Sequence, residues 1–336
     1  MGKSPYEKWL TVGIILLFVG VTIAPAIAQN TEKSQSTSRG TWLYVGGGGP
    51  GNYTRIQDAI DNASEGDTIF VYHGTYYETL SINALTLIGE DRNTTTIDGG
   101  GSRNVIHIGS EVNIQGFTVK NTDTHHSGDA AFFIAGDNIT ISNNVITECS
   151  YGFCDQYEYG GQVEIFNNIF LNITHESILF VVYIWEQDTS YSIHDNYFYS
   201  NHIAIRAVSG RSVSIEHNHF EENDIGVDSQ GSHAIINHNN FINNDIPAQF
   251  LRAWFFFFME TPMYYKPSFS ENYWDDWEKT TPRPIRGTFW FLMMRWLVIL
   301  GIIPGYYFVF PLIFFPFLLV YDRHPAQEPY DIPGMS

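Results

Sequence analysis

Residues 138–245 repeat one phrase: NITISNNVITEC, QVEIFNNIFLNI, SYSIHDNYFYSN, SVSIEHNHFEEN and HAIINHNNFINN. Aligned on the Asn before the bulky pair, the copies place Asn144, Asn168, Asn196, Asn218 and Asn239 at steps of 24, 28, 22 and 21 residues. A period near 22 residues with no helical spacing restricts the chain to a solenoid, in which each coil buries its apolar side against the next.

Within each copy, Ile141, Ile165, Ile193, Ile215 and Ile236 share one position, and Ile146, Phe170, Phe198, Phe220 and Phe241 share another. Between them lie Ser142, Phe166, His194, Glu216 and Asn237, mostly polar. This is the alternation of a strand with one face in and one out. The anchor Asn interrupts it, since its side chain bonds backbone groups and tolerates left-handed torsions. Stacked coils then bring the five Asn into a hydrogen-bonded ladder. A second Asn follows five residues later at Asn201, Asn223 and Asn244, so a coil reads strand, bend, strand, bend, strand.

Lys and Arg number 17 against 36 acidic residues, a formal charge of -19. Nucleic acid is excluded as a partner, because phosphate contacts need clustered cations. The first residues run in the order of a secretory signal: Lys3 and Lys8, an apolar stretch over 10–23, then Ala26-Ile27-Ala28. We expect a signal peptide over 1–28, with an uncleaved anchor as the alternative, and a flexible leader over 29–40. A parallel β-helix domain is expected over 41–288, and an apolar C-terminal cap or membrane-associated segment with a tail over 289–336. The run TRIQDAIDNA places Ile56, Ala59, Ile60 and Ala63 on one helical face. A helix over 54–63 can therefore cover the open first coil. The preceding GGGGPGNYT lacks the Lys of a nucleotide loop and reads as a turn.

The run TRIQDAIDNASEGDTIFVYHGTYYE, followed by LTLIGEDRNTTTIDGGG, resembles the opening of pectin-lyase-like right-handed parallel β-helix proteins. The resemblance is nearest to the exported periplasmic copper-binding (NosD-type) group. It continues through the Asn repeats to ENYWDDW (271–277) and the tail DRHPAQEPYDI (322–332). It implies the fold far more sharply than an activity, because such proteins include lyases, hydrolases, epimerases and non-enzymes. The NosD-type likeness implies copper, but no Met or Cys cluster accompanies it. Lyases of this fold imply carboxylate-bound calcium and a basic residue. No Lys lies between Lys120 and Lys266, where Arg206, Arg211 and Arg252 are the only fixed cations, so a polyuronate substrate is electrostatically unfavourable. Asn121-Thr122-Asp123 matches one polygalacturonase motif, but its companions are missing.

Three constellations are candidates for chemistry. The excursion over 121–133 holds Asp123, His125, His126 and Asp129, a set suited to acid–base work or to a metal, set against a plain polar loop. The outward column His194, Glu216 and Asn237, flanked by His217 and His238, would stand at the coil spacing of ~4.8 Å. His194, Glu216, His217 and His238 are thus a candidate set for a divalent metal or copper, against ordinary water-facing polarity. Arg206 and Asp228 fall in register on consecutive coils and pair as a salt bridge. Cys149 and Cys154 are candidates for a disulfide, with buried thiols as the alternative. Sequons at Asn52, Asn62, Asn93, Asn138 and Asn172 offer glycosylation sites in an exported chain.

Tyr151, Tyr157, Tyr159, Tyr183, Trp185, Tyr191, Tyr197 and Tyr199 supply aromatic rings for the apolar faces of sugars, although Tyr is also common strand filler. Residues 296–321 carry no charge, and a segment of that length can span a bilayer. However, Pro304, Pro311 and Pro316 interrupt it, and Arg283, Arg286 and Arg295 precede it. An apolar cap with a lipid or envelope-protein neighbour fits better. The expectation is an exported, all-β protein of the cell surface or envelope with a structural or binding role, a glycan or envelope polymer being the leading partner. The alternatives are a polysaccharide-active enzyme and a metal-handling envelope protein.

Overall fold

The computed structural model describes residues 40–123, 129–155, 161–181, 189–208, 212–230, 233–255, 267–277, 281–292 and 315–332. The expected signal and most of the leader lie outside these residues. Within the unit Gly40–Ser336 the chain winds as a parallel β-solenoid with three walls. The first wall includes Ile139–Ser142, Gly161–Phe166, Thr189–His194, Ser212–Glu216 and His233–Asn237, and the second includes Val145–Thr147, Ile169–Leu171, Tyr197–Tyr199, His219–Glu221 and Asn240–Ile242. The third includes Tyr151–Asp155, Glu176–Val181, Ile203–Val208, Ile225–Gln230 and Ile246–Phe255. Each strand pairs in parallel with its equivalents one coil above and below.

The register sets like on like. Ile141, Ile165, Ile193, Ile215 and Ile236 are consecutive partners on the first wall. On the second wall, Phe170, Phe198, Phe220, Phe241 and Trp274 stack with centroids 4.9, 5.0, 4.8 and 4.3 Å apart and planes within 8°. All of these residues lie inside the coil, in one continuous core.

The Asn ladder occupies the bend between these walls. The Oδ1 of each anchor Asn accepts the backbone N–H of the previous anchor, at 3.0 Å from Asn144 to Asn168, from Asn168 to Asn196 and from Asn196 to Asn218. Their Nδ2 groups donate to coil carbonyls, as Asn196 does to Ile165 at 2.8 Å. The left-handed torsion, however, belongs to the residue before each anchor. Asn143, Asn167, Asp195, His217, His238 and Glu271 have φ of 54–56°. The division is physical. The left-handed residue turns the chain outward, which leaves the next amide facing the interior, where buried polar groups must be paired.

The ladder runs further than the five repeats. Asn272 continues it, and the Asp322 carboxylate ends it by accepting from Asn272 N, Asn272 Nδ2 and Trp274 Nε1 at 3.0–3.1 Å. Asp322 lies on the strand Phe315–Asp322, antiparallel to Arg283–Leu292 and joined to Ser268–Ser270 through Phe269. The last residues of the apolar run 296–321 are therefore strand, and no described helix is long and apolar enough to cross a membrane.

At the other end a helix, Ile56–Asn62, buries Ile56, Ala59 and Ile60 over the first coil. Its first N–H groups are satisfied from a distance: the Glu78 carboxylate accepts from Ile56 N at 2.8 Å and Gln57 N at 3.1 Å. Among the described residues it is the one helix.

Candidate functional site

The third wall carries an ion triad on its outward side. Its strand register sets Leu179, Arg206, Asp228 and Gln249 in one outward column, and Glu176, Ile203, Ile225 and Ile246 in another. Arg206 reaches between the columns. Its Nη1 donates to Glu176, and its Nε donates to Asp228 at 3.0 Å. Gln230 Nε2 adds a bond to the same Asp228 oxygen at 2.7 Å. The Glu176 and Asp228 side chains are only 6% and 3% exposed, while that of Arg206 is 29% exposed. The expected Arg206–Asp228 pair is present, and Glu176 makes it a triad.

Tyr151 lies one coil below, in register with Glu176 through the pairing of its strand. Its ring stacks on His175 at 5.2 Å. Burial pushes its hydroxyl up to about 12, with further contributions from the charge of Glu176 and a hydrogen bond to it. Tyr151 packs with Ala130, Cys154 and Leu179 in a small apolar cluster outside the main core. Asp129 opens the neighbouring strand: its carbonyl accepts from Tyr151 N at 3.1 Å, and its carboxylate lies 3.6 Å from Arg103 Nε.

Of the expected acid–base cluster, Asp129 thus borders the third wall, and the Asp123 amide bonds Ser102 O at 2.7 Å. His125 and His126 lie outside the described residues. The expected metal set separates into two places. His194 and Glu216 are register partners on the first wall, whereas His217 and His238 occupy the left-handed corner beside it. His194 is engaged by Asp195 at 2.8 Å and Glu164 at 3.2 Å, Glu216 accepts from Ser214, and His238 Nε2 sits 2.6 Å from Glu271. The His217 and His238 rings stack at 5.1 Å within 15°. Parallel rings do not aim their nitrogens at a common centre, so this donor set does not fit a copper ion. Among the described residues, no three His, Cys, Asp or Glu side chains form a metal-holding group.

The expected disulfide is corrected as well. Cys149 and Cys154 are both buried thiols. Cys149 belongs to the interior core, where its Sγ–H reaches Thr147 O at 3.1 Å, and Cys154 belongs to the outer cluster. Two sulfurs in separate clusters cannot adopt disulfide geometry without moving the strand.

The aromatic expectation also changes. Tyr191 is interior, 4.0 Å from Phe180 and bonded to buried Asp155. Its parity with Ile193 was the signal for this. Tyr157, Tyr159, Tyr183 and Trp185 lie outside the described residues, and Tyr197 and Tyr199 flank each other at 5.9 Å on the second wall.

A nearly all-β coil with Asn-laddered bends and a helical cap defines a parallel β-helix protein of the pectin-lyase-like type. The family profile for "Periplasmic copper-binding protein (NosD)" matches residues 60–279, and the chain belongs to that family. A probable pectinesterase 56 of Arabidopsis thaliana is 31% identical over 94 residues, which is 26% of this chain and 33% of that protein. Among solved structures, pectin methylesterase from carrot is similar at 12% identity and a TM-score of 0.45, covering 65% of this chain and 83% of that one. Pectin methylesterase PemA from Erwinia chrysanthemi gives 12% and 0.44, over 71% and 90% of the two chains. The Aspergillus niger enzyme gives 18% and 0.45, over 70% and 85%.

Proposed function

We propose that this is an exported β-helix protein of the cell surface or envelope that recognises a glycan along its third wall. The carrying observation is the triad Glu176–Arg206–Asp228, closed off on the outward side of that wall. Stability does not account for it, since a buried ion triad is commonly matched or exceeded by well-packed apolar side chains. Recognition does. Two carboxylates share one guanidinium, which leaves a net negative charge and spare acceptor lone pairs beside the ring and hydroxyl of Tyr151. A sugar offers hydroxyl groups to such acceptors, to the part-exposed Arg206 and to the Tyr151 hydroxyl, the Tyr151 ring itself being buried. With a formal charge of -19, the protein repels polyuronates, so the ligand class is neutral or amino sugars. Export is supported by the order of the first 28 residues and by the periplasmic description of the family.

A glycan array probed with the full chain, run beside a reducing-end assay, tests this. Binding without release of reducing ends is expected. Removing Arg206 would strand two buried carboxylates, so milder variants are better probes. Tyr151→Phe and Gln230→Leu should each weaken binding about fivefold, the worth of one hydrogen bond of ~1 kcal/mol. Wild-type affinity in both variants would remove the third wall from consideration. New reducing ends would instead identify a polysaccharide-active enzyme.

A further inference from the structure

A second surface stands out at the opposite end of the solenoid, on the first wall. Among the described residues, the exposed large apolar side chains include Trp42 at 51% and Tyr44 at 40% on this wall, and Tyr77 at 75% on the second wall. Trp42 and Tyr44 alternate on the strand Trp42–Val45, whose Val45 is fully buried, so both project from the outward side. Tyr44 is the register partner of Phe70 on the next coil, and Trp42 that of Thr68.

These rings form a connected strip. Trp42 and Tyr44 lie 6.4 Å apart, and Tyr44 and Tyr72 lie 6.3 Å apart, each pair within 29° of parallel. Phe70 supports the strip edge-on, 5.1 Å from Tyr72 and 6.3 Å from Tyr44. The backbone is shaped to seat them. A Cβ on Gly47 would come within 2.8 Å of the Tyr72 ring, and one on Gly46 within 2.3 Å of the Tyr76 hydroxyl. That hydroxyl in turn donates to Tyr72 O at 2.9 Å. The rings are therefore fixed before any ligand arrives, which lowers the ordering cost of binding. At the rim, His73 and Glu90 pair at 2.8 Å in solvent, next in sequence to Tyr72 and offering polar contacts.

We propose that Trp42, Tyr44 and Tyr72 form a second glycan-binding strip, taking the apolar faces of successive sugar rings in a neutral or N-acetylated oligosaccharide. A fixed row of half-exposed aromatic faces with a polar rim matches a ligand that is apolar on its faces and hydroxylated around its edge. The other occupants fit less well. A protein partner of standard size engages some 20–30 residues a side, far more than three rings provide. A bilayer-resting surface wants cations beside its aromatics, whereas the group paired with His73 at this rim is the carboxylate of Glu90. The strip shares the glycan reading with the third wall but none of its residues, so either can stand without the other.

The test is calorimetric titration of the full chain at neutral pH with cellohexaose, chitohexaose, mannohexaose and hexagalacturonate. One of the three uncharged oligosaccharides should bind, and the double variant Trp42→Ala/Tyr44→Ala should bind it about tenfold more weakly. Tyr77→Ala, which changes an exposed ring outside the strip, should leave affinity unchanged. Thermal midpoints of all variants should match the wild type, since the altered side chains are surface groups. Unchanged affinity in the double variant, binding of hexagalacturonate alone, or no binding at all overturns the strip. Co-sedimentation of the wild type with phosphatidylcholine vesicles, lost in the double variant, would overturn it in favour of a lipid surface. If Tyr151→Phe weakens binding while the double variant does not, the strip fails and the third wall stands. The reverse result keeps the strip and removes the third wall.

Discussion

Single residues decide the bends of this coil, and their roles were only partly legible from the repeat. The Asn anchors were readable because a buried side-chain amide at a fixed step has few purposes other than a ladder. The left-handed position before them was not, because Asn, Asp, His and Glu all occupy it: Asn143, Asp195, His217 and Glu271 are examples. That variety made His217 and His238 look like ligands, when they occupy the bend column beside the strands that carry His194 and Glu216. Cys149 shows the same limit, since sequence spacing cannot tell which side of a wall a sulfur faces. Burial pushes its thiol up from 9.0 to about 12. The unfolded chain therefore releases this proton first as pH rises, and the folded state loses stability between about pH 9 and 12. Urea midpoints measured across that interval should fall less steeply in Cys149→Ala than in the wild type. Parallel slopes would show that the thiol does not ionise differently on unfolding.

At the level of elements, strand alternation located the core columns correctly, because inward positions on stacked coils must match in size as well as polarity. The ring column of the second wall is the clearest case. Phe220 is fully buried between Phe198 and Phe241, at 5.0 and 4.8 Å. Truncation there removes contacts on both sides and leaves a cavity that neighbouring coils cannot close. Phe220→Ala should cost about 3–5 kcal/mol in urea unfolding, whereas Tyr199→Ala on the outer side of the same wall should change stability by less than ~0.5 kcal/mol. Equal effects would mean that the column contributes no more than the surface does. What alternation could not reveal was the enclosure of outward groups on the third wall. Glu176 and Asp228 occupy positions that normally face water. Their burial depends on the register between coils of unequal length, with steps of 24, 28, 22 and 21 residues.

For the whole molecule, the repeat predicted a one-dimensional architecture but not its ending. Asp322 closes the ladder 50 residues after Asn272, across an apolar stretch that breaks the repeat. No period links the two positions, so only the fold brings them together. Because the strands of each coil pair with those of the coils next to it, damage at one end should remain local. Asp322→Ala leaves the donors of Asn272 and Trp274 unsatisfied in a buried site, a local penalty of about 1–3 kcal/mol for each group. Asp322→Asn keeps an acceptor oxygen and should lose much less. Hydrogen exchange can read the difference strand by strand. In Asp322→Ala, amides of Asn240–Ile242 and Tyr273–Trp274 should exchange faster while those of Val145–Thr147 keep wild-type protection. Uniform acceleration through all three strands would mean that the coils unfold as one cooperative block, and that the carboxylate secures the entire solenoid rather than its last turns.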